Sequence, residues 1–158
     1  MIDDRSDDEL VRDDVAGPRN RGFWLVAGTM ALAAIVVVVS IVANLGIKDT
    51  IAHAQHSLLT VQAAAEWERT QTGSFETADA AGLAVAVPDV TLVGADTSSN
   101  GLDEVSIDAD VSSWAAAVEA RPGACFYLRL DANGRPTYGS GTVCTGREAS
   151  RSAVDTDW

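Results

Sequence analysis

The chain has 158 residues and a formal net charge of −12. That leaves room for one small domain beside any membrane segment, and it disfavours nucleic acid and anionic lipid headgroups as partners, since both repel a protein of this sign. No glycine-rich phosphate loop is present and the two histidines, His53 and His56, share one stretch, a pattern that argues against an enzyme, a bound cofactor or a small-molecule substrate.

Residues 1–21 hold seven acidic and four basic residues and a Gly17-Pro18 break. Such a segment buries too little apolar surface to offset chain entropy and reads as a disordered cytoplasmic leader. From Gly22 to Ile47 no charged residue occurs, and the run exceeds the roughly 20 residues that cross a bilayer core of about 30 Å. Residues 22–47 are therefore expected to form a transmembrane helix in the lipid bilayer. Arg12, Arg19 and Arg21 precede the run, and only Lys48 follows it closely. This bias places the N-terminus in the cytoplasm and the remainder in an extracytoplasmic domain, as a single-pass cell-membrane protein. Ala52-His53-Ala54 has the form of a signal-peptidase site, an alternative that the length of the apolar run disfavours.

Residues 48–71 contain no proline and carry Ile51, Ala54, Leu58, Val61 and Ala65 at three- and four-residue steps. This spacing predicts an amphipathic extension of the helix whose apolar stripe packs on a later element. His53 and His56 fall opposite the stripe. A histidine pair one turn apart can share a metal, but zinc takes three or four protein ligands and no further Cys or His cluster completes a shell, so a polar face is the preferred reading. The helix is expected to stop at Thr72-Gly73, because glycine adopts the left-handed terminal conformation that other residues resist.

Residues 72–147 change period. After a connector closed by Pro88, short segments at 89–94, 104–109, 111–119, 124–130 and 136–140 alternate or carry β-branched and aromatic residues, which predicts strands. Asn100-Gly101, Pro122-Gly123 and Asn133-Gly134 supply turns between them. Asp131-Ala132-Asn133-Gly134 shares a fragment with calcium loops, but the later ligands are missing and a hairpin explains it better. Phe126, Leu128 and Leu130 point to one face of their strand and should meet the helical stripe. Cys125 and Cys144, in an oxidising compartment, are expected to form a disulfide closing a loop of about 20 residues and stabilising by roughly 3 kcal/mol; two separate buried thiols are the alternative. Residues 148–158 read as a flexible tail. The expected fold is α+β: a long N-terminal helix packed on a small antiparallel sheet of four to five strands.

The order of these parts resembles the type IV pilin and pilin-like family. The carriers are Arg21-Gly22-Phe23 before the apolar run, the helix ending in Thr72-Gly73-Ser74-Phe75, and Gly123–Leu130 followed by Thr137-Tyr138-Gly139 and Cys144-Thr145. The resemblance covers about residues 21–147 and implies a prepilin peptidase cut between Gly22 and Phe23, with other pilin-like subunits as partners. Two positions depart from the family. Its glutamate at the fifth position after the cut is Ala27 here, and its threonine at the second is Trp24. In the family that glutamate is thought to pair with the amine of a neighbouring subunit, and an unpaired amine is costly in hydrocarbon. The resemblance implies a non-catalytic, minor or accessory subunit of a type IV pilus or a related secretion pseudopilus. The alternative is an unprocessed single-pass protein whose outer domain binds a partner without polymerising.

Overall fold

The computed structural model describes the backbone from Arg21 and the side chains of residues 46–158. The expected leader and span, with the cleavage pair Gly22 and Phe23, lie outside the residues whose side chains are described. Among the described residues no helix is long and apolar enough to cross a membrane. One compact unit runs from Ala43 to Trp158.

The elements follow the order α1 (Arg21–Thr72), α2 (Ala80–Leu83), β1 (Thr91–Gly94), β2 (Glu104–Asp110), β3 (Ser113–Arg121), β4 (Ala124–Leu130), β5 (Pro136–Gly141) and α3 (Gly146–Ser152). The five strands form one sheet in sequence order. The fold is α+β, with a helix packed against a mixed sheet. β2 through β5 pair antiparallel as expected, but β1 pairs parallel to β2, with Leu92 opposite Val105 and Gly94 opposite Ile107. The all-antiparallel expectation treated Asn100-Gly101 as a hairpin turn. Instead, residues 95–103 carry the chain back to the starting end of the sheet. Buried Ser99 holds this excursion down: its hydroxyl donates to Glu104 O and accepts from Glu119 N at 2.9 Å, and its own N–H donates to Cys144 O at 2.8 Å.

One face of the sheet meets α1. Ala54, Leu58, Val61 and Ala65 share a core with Val105, Ile107, Trp114, Ala116, Val118, Leu128 and Leu130, and partly buried Phe126 packs against it. Ile51 is half-buried at the start of the stripe. The helix stops at Gly73, whose φ of 84° is left-handed and whose N–H donates to Arg69 O at 2.8 Å. Arg69 in that last turn lies 5.4 Å from the centre of the Phe75 ring and reaches Ala132 O at 3.4 Å, tying the helix end to the β4–β5 turn.

The other face is covered too. Residues 148–158, expected as a flexible tail, supply most of α3 and a segment that runs on to Trp158. Ala115, Ala117, Cys125, Tyr127, Cys144, Ala149 and Ala153 form this second core, and the Cys125–Cys144 disulfide lies within it, spanning 5.2 Å between Cα atoms. Gly146 allows the close approach: a Cβ there would stand 2.5 Å from Asp108 N, while its N–H donates to buried Ser106 Oγ at 2.8 Å. Thr145 caps α3, accepting from Glu148 N at 3.2 Å.

Burial raises the Tyr127 phenol above its ordinary 10.0, and the Glu148 carboxylate pushes the same way. The fold therefore favours the neutral phenol. Its contribution to stability is complete below pH 10 and is lost as pH rises through the raised value, because the unfolded phenol ionises first. The urea midpoint of the wild type is expected to fall more steeply above pH 10 than that of Tyr127→Phe; parallel profiles would contradict this.

Candidate interaction face

The described part of α1 presents two features outside the core. Opposite the buried stripe, Ala52, His56, Leu59, Ala63 and Trp67 are exposed, following steps of three and four that keep them on one side. Leu59 is 45% exposed and Trp67 65%. From Thr50 to Ala65 the helix carries no Asp, Glu, Lys or Arg, in a chain of net charge −12. The first carboxylates of the helix after this stretch are Glu66 and Glu68, which flank Trp67; a partner helix laid along Thr50–Ala65, around Leu59, meets no Asp, Glu, Lys or Arg to desolvate.

At the margin of that face a cavity of about 240 Å³ is lined by His53, His56, Ser57, Thr60, Asp89, Val90 and Asp103. His53 Nε2 lies 2.6 Å from Asp103 Oδ1, so a ring N–H donates to the carboxylate and links α1 to the end of the 95–103 connector. Both side chains are at least half exposed, where such a pair adds little to stability. Among the described residues no group of three or more His, Cys, Asp or Glu side chains converges to hold a metal ion. The cleft offers polar groups for hydrogen bonding.

Other candidate chemistry is committed locally. Asp131 Oδ1 accepts from Asn133 N at 2.8 Å and from Arg135 N at 2.9 Å. The bond from Arg135 foremost holds that carboxyl below its ordinary value. The 131–134 stretch is a tight turn with Gly134 at φ 77°, its carboxylate engaged by backbone. Asp108 Oδ2 accepts from Ser150 Oγ at 2.5 Å, and Asp110 Oδ1 from Val111 N at 2.6 Å.

The structure brings Ala54, Leu58, Val61 and Ala65 together with Leu128 and Leu130, with Phe126 packed against them, leaves Ile51 half-buried outside that cluster, and joins the two cysteines. The His53–Asp103 contact was not foreseen, since 50 residues separate its partners. The α3 cap did have a signal, the Thr145-x-x-Glu148 spacing of a capping box. Comparison of the chain with protein-family models, curated proteins and solved structures finds no match.

Proposed function

We propose that this chain is a non-catalytic, pilin-like protein anchored in the cell membrane by residues 22–47, with its N-terminus cytoplasmic and its disulfide-closed domain outside. In this reading a continuous helix leaves the bilayer and serves on one side as the roof of the sheet and on the other as a lateral contact. It enters a type IV pilus or a related secretion pseudopilus as a minor or accessory subunit. The observation that carries the reading is the outer side of α1, free of Asp, Glu, Lys and Arg from Thr50 to Ala65, with Leu59 exposed on it and Trp67 exposed just beyond it. A helix face of this kind suits packing against other helices.

A second reading is favoured by one position. Ala27 stands where the resembled family has a glutamate, which removes the carboxylate that would neutralise a new amine in hydrocarbon. The chain then stays unprocessed, as a single-pass protein with an outer binding domain. N-terminal sequencing of the protein recovered from the membrane separates the two. A chain beginning at Phe23 supports assembly, retention of residues 1–22 supports the unprocessed form, and a start after Ala54 would overturn both.

A further inference from the structure

β5 is an edge strand, with β4 on one side only. Edge strands leave alternate N–H and C=O groups without a ladder partner and act as templates for another extended segment. Here the edge is covered by the chain's own residues 153–158, which pass from one face of the sheet to the other. Above Gly139 the backbone of Ser152 and Ala153 comes so close that a Cβ would stand 2.6 Å from Ser152 O. Thr137 Oγ1 then donates to Ala153 O at 2.8 Å. At the edge itself Tyr138 and Asp155 exchange both backbone hydrogen bonds, at 2.9 and 3.0 Å, as an antiparallel bridge. Beyond it Trp158 sits on the α1 side of the sheet, its ring 4.4 Å from that of Tyr138 and edge-on to Phe126 at 6.4 Å. Its Nε1–H donates to Tyr127 O at 3.0 Å.

This strap covers only part of the edge. In an antiparallel ladder outward-facing residues alternate, so with Tyr138 turned outward Ser140 is too. Only Tyr138 is bridged. Val154, Asp155, Thr156 and Asp157 are exposed, and Trp158 remains 38% exposed. Beyond buried Ala153, the segment is thus held by one backbone bridge, the Thr137 hydroxyl and the Trp158 side chain with its single Nε1–H bond, while a longer extended segment would pair with both Tyr138 and Ser140.

We propose that β5 is a docking strand for an extended peptide of a partner protein, and that residues 153–158 are a displaceable strap occupying the site. The strap defines what fits: a strand running antiparallel to β5 that places an aromatic ring, three residues beyond its bridged position, against Phe126 and Tyr138. Backbone hydrogen bonds give such a contact its affinity and the ring pocket its selectivity. The site lies at the opposite sheet edge from β1, and the inference stands whether or not the chain is processed or enters a fibre.

The test uses the full-length chain and a fluorescent blocked peptide with the sequence of residues 152–158. A tethered strap competes at an effective concentration on the order of millimolar. The peptide is therefore expected to bind Trp158→Ala at least about tenfold more tightly than wild type, and a peptide with alanine in place of its tryptophan is expected not to bind. Asp155→Pro, which removes the N–H donated to Tyr138 O, should open the site independently. Far-UV circular dichroism and an intact disulfide verify that each variant is folded. Equal binding to wild type and both variants, or no binding to either folded variant, would overturn the proposal. A wild-type dimer that dissociates on Trp158→Ala would also overturn it, by assigning the edge to a second copy.

Discussion

Replacing Trp114 with alanine is expected to lower stability by about 3–5 kcal/mol, the usual cost of emptying a tryptophan site in a packed core. The side chain is fully buried in β3 within the core shared by α1 and the sheet. Its Nε1–H donates to Ala78 O at 3.0 Å, pinning the α1–α2 connector above the sheet. Trp114→Phe keeps most of the apolar volume but leaves that carbonyl without its donor, and should cost about 1–3 kcal/mol. Urea unfolding followed by circular dichroism gives the order wild type, Trp114→Phe, Trp114→Ala. A Trp114→Ala loss below about 1 kcal/mol would mean that the connector and helix do not close over β3 as described.

Removing the disulfide has the second large effect, and its distribution across the molecule matters as much as its size. The bond joins positions 19 residues apart, and the chain-entropy treatment assigns roughly 3 kcal/mol to a loop of that length. Cys125 and Cys144 sit in the core beneath α3 with Ala149 and Ala153, on the side of the sheet away from α1. In the Cys125→Ala/Cys144→Ala variant, amide exchange should accelerate first at Ala149, Ala153 and Ser99, whose N–H groups donate to Thr145 O, Ala149 O and Cys144 O. The buried stripe from Ala54 to Ala65 should keep its protection until global unfolding. Uniform acceleration across both faces would contradict a disulfide acting chiefly on α3.

The α1 face was legible because its signal is periodic: Ala54, Leu58, Val61 and Ala65 repeat at four and three, and Phe126, Leu128 and Leu130 alternate. Covalent chemistry made the cysteine pair legible. The second face left a different kind of trace. Trp114–Val118 is a continuous apolar run, and in the structure its residues are buried alternately against α1 and α3. Such a run marks a strand covered on both sides, whereas the expected fold supplies a cover, the helix, to one face. α3 is only seven residues long, too short for a helical period to stand out, and its small residues Ala149 and Ala153 carry little hydrophobic weight. The connector that lets β1 pair in parallel is held by Ser99, which meets Glu119 across 20 residues and also reaches Cys144, contacts that no local pattern encodes. The same holds for His53 with Asp103. The outer face of α1 is readable as the complement of the stripe, whereas the exposure of Leu59 and Trp67 is set by the tertiary fold.

An alkaline phosphatase fusion placed after Trp158 and assayed in the membrane fraction of a bacterial host tests the anchored, outward-facing domain most directly. That reporter becomes active only where its own disulfides form, outside the cytoplasm. Full activity sedimenting with the membranes is the predicted result. An inactive fusion, or an active one recovered entirely free of membrane, would contradict it.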